Sequence, residues 1–324
     1  MPVRNEERYV VGAIRSIIEQ GIPVEVLVID ACSSDRTVSC VEGLYDPRIR
    51  VITNPARLIP NALNIGLQHA RGEFIARVDA HACIGKDYFS NALKALSAQD
   101  VGGVGGMKVG VAGSPAGRAI AAALSSRFGV GNSIYHYGKQ AVDTDHASFG
   151  VYRAAVARSI GGWDETLAVN EDVDFDHRIL AAGWRIRYQP TMTINWQVRE
   201  SIGAFARQYR RYGRGKAAML RKNGFSALRA RHLMPPALVL ATGFSLFTGL
   251  AGRRRFAVAF LTPYCLALAG ATILTLRAES SKQVISPSYL AAAFVTMHFS
   301  WGWGMFEGLV LGLKPAGASA LDPA

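Results

Sequence analysis

The side chains best suited to chemistry in this sequence are acids, and the first of them lie where short polar motifs follow apolar runs. The two earliest motifs are Pro2–Glu6 (PVRNE) and Asp30–Thr37 (DACSSDRT). Short polar side chains and exposed backbone amides at strand ends suit a nucleotide base and its ribose. The alternative for the second motif is a capped helix start, with Ser34 or Asp35 as the capping residue. Taken alone, this motif fits both interpretations.

A third motif, Arg77–His81 (RVDAH), combines a carboxylate with an imidazole. Residues i and i+2 of an extended segment point the same way, so Asp79 and His81 are expected to project together. A carboxylate oxygen with an imidazole nitrogen suits Mn²⁺, and Mg²⁺ fits as well. The motif therefore predicts a metal site at Asp79 and His81, with an ordinary polar turn as the alternative.

The most acidic motif runs from Gly161 to Asp176. It contains six acids, all in its last 13 residues. Asp172 and Asp176 share one face of a predicted helix because they are four residues apart. Acids at a helix start also interact favourably with the helix dipole, which explains part of the cluster. Because so many like charges repel one another, the cluster further indicates a site that needs a base.

The segments around these motifs alternate between strand-like and helix-like patterns. Strands are predicted at Val24–Ile29, Arg50–Thr53, Phe74–Val78 and Gly102–Val109, and helices at Val10–Gln20, Pro60–Ala70 and Asp87–Ser97. This alternation predicts an α/β fold with a mixed, mostly parallel sheet, whose ligands bind beyond the carboxyl ends of strands. Asp30 and Asp79 both occupy such positions. Only the last residues of an opening strand are present, so we expect the true start codon to lie upstream or the sheet edge to be incomplete.

Three apolar stretches in the last third of the sequence predict membrane helices. They contain no Asp, Glu, Lys or Arg and are Leu233–Ala251, Phe256–Leu276 and Val284–Phe306. Each has about 19–23 residues, enough to cross a hydrocarbon core of roughly 30 Å. Three crossings would place Arg253–Arg255 on the far side, against the positive-inside tendency. Because the first stretch contains Pro235 and Pro236, we expect it to dip in and return, while the last two stretches cross and both ends face the cytoplasm.

The net charge of +12 is confined to the C-terminal part, since residues 1–206 contain 21 basic and 21 acidic side chains. Nine basic residues and no acid lie from Arg207 to Arg231, directly before the apolar stretches. Their position favours a cytoplasmic segment facing anionic lipid over a nucleic-acid site. Four cysteines without metal-ligand spacing and the lack of a secretory signal predict reduced thiols and a cytoplasmic catalytic domain at the inner (plasma) membrane.

The order of the motifs carries a family resemblance. Pro-x-x-Asn-Glu, Asp-x-x-Ser-x-Asp-x-Thr, Asp-x-His, Gly-Gly-x-Asp-Glu and Glu-Asp follow one another as in the family 2 glycosyltransferases of the GT-A fold, which this sequence resembles over about residues 1–220. With its Arg-Val-Asp-Ala-His form and C-terminal apolar segments, it is most similar to the succinoglycan-type β-1,3-glucosyltransferases of exopolysaccharide synthesis. We therefore expect a GT-A domain at 1–206, a basic interfacial segment at 207–232, a membrane segment at 233–313 and a tail at 314–324.

The resemblance implies a role for each matching residue. Those implied to bind the nucleotide and its phosphates are Pro2, Val3, Glu6, Asp30, Asp79 and Arg211. Asp79 would reach the donor diphosphate through a divalent metal (Mn²⁺ or Mg²⁺), with His81 beside it. Glu171 and Asp172 are the residues implied to be catalytic, and Asp172 of this pair matches the catalytic base.

Other positions match the family less closely or depart from it. Asp143, Asp145 and His146 lie where relatives form the acceptor pocket. Arg211 belongs to a Gln-x-x-Arg-Tyr element in which polymerising relatives have Trp as the last residue. Many relatives have a second acid where this sequence has Ala31, and Asp-x-Asp where it has Asp-x-His, so base recognition must be arranged differently here.

The reaction implied by the resemblance is an inverting transfer of a hexose from a UDP-sugar to a lipid-linked saccharide, in exopolysaccharide or cell-envelope polysaccharide synthesis. Glucose is the hexose of the relatives that look nearest, and membrane lipid is a further expected partner. One alternative is a polyprenyl-phosphate sugar transferase. The other is a catalytically inactive membrane-bound scaffold, which the clipped first strand and Ala31 slightly favour.

Overall fold

A computed structural model describes residues 1–224, 228–279 and 284–313, so the predicted tail at 314–324 lies outside the described residues. The described strands are β1 (Pro2–Val3), β2 (Val26–Asp30), β3 (Ile49–Thr53), β4 (Phe74–Ala76), β5 (Ala82–Ile84), β6 (Val101–Val111), β7 (Val142–Asp143), β8 (Val151–Arg153) and β9 (Arg185–Gln197). The described helices are α1 (Val10–Ile18), α2 (Thr37–Glu42), α3 (Ile59–His69), α4 (Tyr88–Ala95), α5 (Pro115–Leu124), α6 (Arg127–Val130), α7 (Ala154–Ser159), α8 (Glu171–Ala181), α9 (Ile202–Asn223), α10 (Met234–Leu250), α11 (Arg254–Glu279) and α12 (Pro287–Val310).

The chain forms two compact units. Within the described residues, the first comprises Met1–Val109 and Ile134–Gln197, and the second comprises Gly110–Ser133 and the residues from 198 to 313. Every strand and helix predicted before residue 110 is present, with its ends shifted by only a few residues. The predicted boundaries at 206 and 232 stay a prediction.

The first sheet of unit one is parallel, with β2 between β1 and β3. Val3 of β1 pairs with Asp30 of β2, and Asp30 pairs with Thr53 of β3. All five residues of β2 are buried, as expected for a strand covered on both faces. Because parallel strands end at the same edge, the polar motifs that follow Val3 and Asp30 begin side by side.

The second sheet of this unit has the order β4-β8-β6-β9-β5, and β7 pairs with β9 as well. The pairs of β8 with β4 and β6 are antiparallel, as are those of β9 with β5 and β7. The unit is therefore α/β with parallel and antiparallel strands, which confirms the predicted fold class. In the first sheet, β1 and β3 both pair with β2 in parallel.

Two glycines of β6 allow other parts of the chain to lie directly against this strand. A Cβ atom at Gly105 would lie 2.6 Å from the Cα of Ala147, and one at Gly106 would lie 2.0 Å from the carbonyl oxygen of Met192. Only glycine permits so close a backbone approach. The segment around Ala147 is thereby held beside β6, which also carries Lys108.

The acidic helix α8 is anchored by an aromatic stack. The rings of Trp163 and Phe175 are parallel, with centroids 4.1 Å apart, and Tyr152 packs edge-on against Phe175 at 5.0 Å. Phe175 is fully buried, and burial of such a side chain stabilises the fold by roughly 2–3 kcal/mol. Trp163 is in turn held by a hydrogen bond from its backbone amide to Asn64. The Gly-Gly-Trp-Asp-Glu motif thus positions the helix that carries Asp172.

The second unit is helical, and its helix α9 contains most of the basic residues predicted to face lipid. This helix begins after Ser201, whose hydroxyl accepts a hydrogen bond from the amide of Ala204. Its buried face packs on α12, where Gly304 allows the backbone of Arg210 to approach. Glu307 of α12 accepts hydrogen bonds from both Arg210 and Arg214 at 2.8 Å. Apolar packing and ion pairing therefore act together at this helix pair.

Two described helices of this unit are long and apolar enough to cross a membrane, namely Ala230–Leu250 and Arg254–Glu279. They correspond to the first two predicted stretches. The third, predicted at Val284–Phe306, forms α12, which is not among them and buries Leu290 and Phe294 inside the unit. This packing does not test whether the last two stretches cross a membrane, so that expectation stays a prediction. Hydropathy alone does not separate a helix that packs on protein from one that faces lipid.

Candidate active site

The first two polar motifs are joined at the edge of the parallel sheet. The amide of Ser34 donates to Oδ1 of Asn5 at 2.8 Å, and the amide of Glu6 donates to the Thr37 hydroxyl at 2.7 Å. The hydroxyl of Ser33 donates to the carboxylate of Asp30 at 2.6 Å, which closes a turn directly after β2. The motifs thus form one rigid edge, with several backbone amides and small polar side chains next to the end of β2.

This edge reaches the third motif through Glu6 and His81. Nδ1 of His81 lies 3.1 Å from Oε1 of Glu6, and the Glu6 side chain is nearly buried. His81 and Asp79 stand in a turn closed by a hydrogen bond from the Ala82 amide to the Asp79 carbonyl. The prediction that they project together from an extended segment is therefore wrong in its geometry. An electrostatic interaction with His81 nonetheless favours the ionised form of Asp79.

Arg77 connects Asp79 to the acidic helix. Its Nε atom lies 2.9 Å from Oδ1 of Asp79, and its Nη1 atom lies 2.9 Å from Oε1 of Glu171. Burial acts to raise the pKa of Asp79, but the charge and hydrogen bonds of Arg77 outweigh it and hold that pKa below its ordinary value. Asp79 is therefore ionised at neutral pH.

Glu171 and Asp172 are adjacent at the start of α8, yet their environments differ. Burial and the neighbouring charge of Asp172 raise the pKa of Glu171 to about 7. Burial also acts to raise the pKa of Asp172, but the charges of His146 and Arg77 and the amide of Val173 lower it below its ordinary value. The Asp172 side chain is 36% exposed, so solvent reaches it. Asp172 is thus the member of the pair that is ionised and accessible, as a base must be.

A buried network lies on the other side of Asp172. His146 places its Nε2 atom 3.8 Å from Oδ2 of Asp172 and its Nδ1 atom 2.6 Å from Oδ2 of Asp176. Tyr152 donates to the other oxygen of Asp176 at 2.8 Å. The predicted shared helix face of Asp172 and Asp176 is confirmed, because both carboxylates contact one imidazole.

A family model for glycosyl transferase family 2 matches residues 1–160. This chain carries a glycosyl transferase family 2 domain. The glycosyltransferase is 26% identical to the succinoglycan biosynthesis protein ExoA of Rhizobium meliloti (strain 1021), over 96% of this chain and 94% of that protein. It is 25% identical to the dolichyl N-acetyl-alpha-D-glucosaminyl phosphate 3-beta-D-2,3-diacetamido-2,3-dideoxy-beta-D-glucuronosyltransferase of Methanococcus voltae, over 96% of both chains.

Solved structures share the fold of this glycosyltransferase. The mannosyltransferase PcManGT from Pyrobaculum calidifontis, solved with GDP-Man and Mn²⁺, aligns with a TM-score of 0.57 and 22% identity, over 91% of this chain and 85% of that one. TarS 1–349 of S. aureus, solved with UDP-GlcNAc, aligns with a TM-score of 0.54 and 19% identity, over 94% and 89% of the two chains. These likenesses confirm the predicted GT-A-like fold.

Most of the predicted site residues of the glycosyltransferase lie in the first unit, and contacts connect them. Glu6, at the edge of the parallel sheet, contacts His81, and His81 interacts electrostatically with Asp79. Arg77 joins Asp79 to Glu171 at the start of α8. Pro2 and Val3 form β1 beside Asp30. Arg211 is the exception, since it lies on α9 of the second unit.

Arg211 nevertheless has a notable environment. Its Nε atom is buried and makes no hydrogen bond to the described residues. A buried guanidinium nitrogen without an acceptor is costly, and a bound anion would supply the missing acceptor. This agrees with the predicted phosphate contact and does not test it.

Lys108 belongs to the site and was not predicted. Its ammonium group lies over the rings of Trp196 and Phe149, 4.1 Å and 5.1 Å from their centroids. Burial lowers the pKa of Lys108 to about 8, although Asp172 and Asp79 act in the opposite direction. The signal that would have found it is a single charged residue within the glycine-rich apolar strand predicted at 102–109.

The motif that contains Arg77 predicted no role for this residue, and His146 was predicted only to line an acceptor pocket. Asp176 was placed on a face without a partner. Each acts through a residue distant in the sequence, since Arg77 reaches Glu171 across 94 positions and His146 reaches Asp176 across 30. Local spacing contains no signal for such pairs.

Asp79 and His81 fit a divalent cation as a partial set of ligands. The described part of the chain has no group of three His, Cys, Asp or Glu residues placed to hold a metal. Asp79 offers an ionised carboxylate, and Nε2 of His81 makes no hydrogen bond to the described residues. A cation at this pair would therefore need further oxygen ligands, such as those of a diphosphate.

Proposed function

We propose that this protein is an inverting glycosyltransferase that moves a hexose, glucose in the first instance, from a UDP-sugar to a lipid-linked saccharide at the cytoplasmic face of the plasma membrane. The observation that supports this most directly is the connection of Asp79 to Glu171 and Asp172 through Arg77. It brings the residue expected at the donor diphosphate to the residue expected at the acceptor hydroxyl. Such an arrangement suits transfer between two bound substrates.

In the proposed reaction, Asp172 is the base. The hydroxyl of an acceptor sugar has a high pKa, so its proton must leave during attack on the anomeric carbon and not before it. The attack and the departure of the nucleoside diphosphate occur in one displacement, which inverts the configuration at that carbon. The pKa of Glu171 is raised to about 7, so this residue is partly protonated at neutral pH. Asp172 is therefore the stronger candidate for the base.

The donor would bind along the edge formed by the first two motifs. Pro2, Val3, Glu6 and Asp30 are the residues we expect near the base and ribose. Asp79 and His81 would hold a divalent cation that neutralises charge developing on the leaving diphosphate. The known structures with GDP-Man and Mn²⁺ and with UDP-GlcNAc belong to proteins of the same fold, which supports a nucleotide sugar as donor.

Two observations support a lipid-linked acceptor: the name of one relative, and the exposed apolar surfaces of two helices. The Methanococcus voltae relative is named for a dolichyl sugar phosphate as its substrate. Large apolar side chains of α10 and α11, such as Leu250 and Leu266, are 90% and 69% exposed. Exposed apolar helices of this length suit a lipid environment. The basic helix α9, with exposed Arg207 and Arg221, and the partly buried Arg211 would then lie near anionic lipid and the acceptor phosphate.

The relative of known role in succinoglycan biosynthesis suggests an exopolysaccharide or another cell-envelope polysaccharide as the product. The experiment is to incubate membranes containing the full-length protein with radiolabelled nucleotide sugars, Mn²⁺ and lipid extract, and to analyse the labelled lipid. A sugar bound through a glycosidic bond to a lipid-linked saccharide supports the proposal. Label attached directly to a polyprenyl phosphate would instead identify a polyprenyl-phosphate sugar transferase, and the absence of any transfer from all donors would contradict both.

A further inference from the structure

The fully buried carboxylate of Asp176 fixes one imidazole in place. Its Oδ2 atom accepts a hydrogen bond from the amide of Ala147 at 2.7 Å and lies 2.6 Å from Nδ1 of His146. We assign Nδ1 as the donor, because the amide of Ala147 and the hydroxyl of Tyr152 both donate to Asp176 and favour its carboxylate form. Its Oδ1 atom accepts from the hydroxyl of Tyr152 at 2.8 Å. Three donors on one buried carboxylate leave it no freedom to rotate, so the ring of His146 is held in a single orientation.

This orientation determines what the other ring nitrogen can do. Because Nδ1 of His146 donates its proton to Asp176, Nε2 is the nitrogen that gains or loses a proton. Nε2 lies 3.8 Å from Oδ2 of Asp172. The amide of Val173 donates to Oδ1 of Asp172 at 2.8 Å, which leaves Oδ2 as the oxygen that faces the imidazole.

We propose that His146 receives, through its Nε2 atom, the proton that Asp172 takes from the acceptor hydroxyl, and that Asp176 is the positioning residue for this transfer. The inference rests on the proposed function, in which Asp172 is the base. The inference adds a second proton acceptor, His146, to the proposed function.

The acceptor O–H bond breaks as the new bond from that oxygen to the anomeric carbon forms, and the diphosphate leaves with the electron pair of its bond to the sugar. The proton passes to Oδ2 of Asp172 and then to Nε2 of His146. The product is an imidazolium paired with the carboxylate of Asp176, and Asp172 is ionised again.

The separation of 3.8 Å is about 1 Å longer than a hydrogen bond. A rotation of the Asp172 side chain, which is 36% exposed, would close it. Hydrogen bonds of this kind often tighten only when the substrates are bound. The rigid partner is then His146, and the mobile one is the base that must also meet the acceptor.

Several charged or polar groups surround His146. Asp172 and Asp176 face it from α8, Lys108 from β6, and the ring of Tyr135 packs edge-on against it. Burial acts to lower the pKa of His146, but the two carboxylates and the hydrogen bond to Asp176 outweigh burial and Lys108 and raise it above the ordinary value.

Neighbouring His136 does not compete for the proton. Its pKa is held far below the ordinary value by burial and by the charges of Lys108 and His146. His146 must be neutral to accept a proton, and Arg77, Lys108 and the amide of Val173 then remain to favour the ionised form of Asp172. Turnover should therefore fall as the pH decreases through the raised pKa of His146. Glu171, whose pKa is raised to about 7, titrates in a similar range, so the acid limb is assigned to His146 by its loss in His146→Gln.

The test compares His146→Gln and Asp176→Asn with Tyr152→Phe in the full-length protein. The first variant removes the proton acceptor. The second places an amide opposite Nδ1, which favours the tautomer with its proton on Nε2. The third removes one donor to Asp176 and leaves the contact of Asp176 with His146 in place. We expect the first two to lower kcat by on the order of 10²-fold without changing donor KM, and His146→Gln to lose the acid limb. Tyr152→Phe should keep that limb.

Chemical rescue separates a proton acceptor from a merely structural residue. His146→Ala should regain transfer when imidazole is added, with a dependence on the neutral form of imidazole. If the wild-type profile has no limb above the ordinary pKa of histidine, or if His146→Gln keeps the wild-type profile and rate, the inference is overturned. Where one variant fails to fold, imidazole rescue of His146→Ala or the pH profile of Asp176→Asn still tests the inference.

Failure of this inference about His146 can be distinguished from failure of the proposed function. If the wild-type protein transfers sugar and Asp172→Asn does not, the proposed function stands and the His146 variants test this inference alone. If the wild-type protein transfers no sugar to any acceptor, the proposed function has failed, and the inference fails with it.

Discussion

One guanidinium nitrogen of Arg77 lies 2.9 Å from the carboxylate of Glu171, although 94 positions separate the two residues in the sequence. Arg77 follows β4, whereas Glu171 is the first residue of α8. This contact therefore fixes the start of the acidic helix beside the turn that carries Asp79. Both side chains are largely buried, at 12% and 6% exposure, so the pair is screened little by solvent.

Arg77→Ala should destabilise the protein strongly, because it leaves the buried carboxylates of Asp79 and Glu171 without their cation. Breaking a buried pair in this way costs about 3–5 kcal/mol. Thermal unfolding of the full-length protein in detergent measures the loss. Arg36→Ala is the matched control, since Arg36 pairs with Glu7 at a side-chain exposure of 80% and such an exposed pair contributes little to stability. Equal shifts in Tm for the two variants would contradict the prediction.

Asp172→Asn should abolish transfer and leave donor binding nearly intact. The amide cannot accept the acceptor proton, and a general base typically contributes on the order of 10²–10⁴-fold to the rate. The donor contacts predicted at Asp30 and Asp79 are untouched. Product formation gives the rate, and calorimetry with the UDP-sugar gives the affinity. The control is Asp100→Asn, at a surface ion pair with Arg185. Retention of most activity by Asp172→Asn would show that another residue is the base.

The motifs of the sequence located the acids correctly, and the reason is local. Asp30 and Asp79 follow strands, and Asp172 and Asp176 are spaced by one helical turn, so periodicity was enough to predict where they emerge and which share a face. The turn at Asp79 was missed, since an Asp-x-His segment is compatible with a strand or a turn until the backbone hydrogen bonds are known.

Local sequence patterns could not predict which distant side chains contact these acids. Whether a carboxylate is ionised depends on cations from other strands and helices, as with Lys108 of β6 and Arg77 after β4. The long antiparallel strand β9 was missed for a related reason. It alternates buried and exposed residues, but Pro190 lies inside it and Pro usually argues against a strand interior.

Asp79→Ala should weaken the donor affinity that depends on metal. The variant removes the only ionised carboxylate expected at the cation, leaving His81 as its sole predicted protein ligand. Calorimetric titration of the UDP-sugar with and without Mn²⁺ measures the effect. We expect roughly tenfold or greater loss in the presence of Mn²⁺, equivalent to about 1.4 kcal/mol, and little change without it. Asp100→Ala is the control, and an unchanged response to Mn²⁺ in Asp79→Ala would reject the metal role.

Lys108→Met should stabilise the protein at neutral pH and impair transfer. Burial lowers the pKa of Lys108 from 10.5 to about 8, so the native state binds fewer protons than the unfolded state between these values. The free energy of unfolding of the wild-type protein should therefore rise as the pH increases from 8 to 10.5. Methionine would fill the space beside Trp196 and Phe149 without a buried charge, for a gain of roughly 1–3 kcal/mol at pH 7.

The measurements for Lys108→Met are denaturant unfolding from pH 7 to 10.5 and transfer activity. We expect a flatter dependence of stability on pH and a loss of activity on the order of tenfold, since Asp172 and Asp79 lose a neighbouring cation. Lys94→Met, at an exposed position of α4, should change neither property. A Lys108→Met variant that keeps the wild-type slope between pH 8 and 10.5 would show that this ammonium group is not the source of the slope.

Leu266→Arg should weaken membrane attachment. Leu266 lies near the middle of α11 and is 69% exposed, on a helix that is long and apolar enough to span a bilayer. An arginine at the centre of a membrane helix costs about 2.5–3.5 kcal/mol on insertion scales, whereas the same residue on a water-facing surface costs almost nothing. Resistance to alkaline extraction from membranes measures the difference. Tyr45→Arg, at a position 92% exposed in the first unit, should stay membrane-bound like the wild-type protein. If Leu266→Arg resists extraction equally well, α11 does not lie in the hydrocarbon core, and its exposed apolar face must be covered by protein instead.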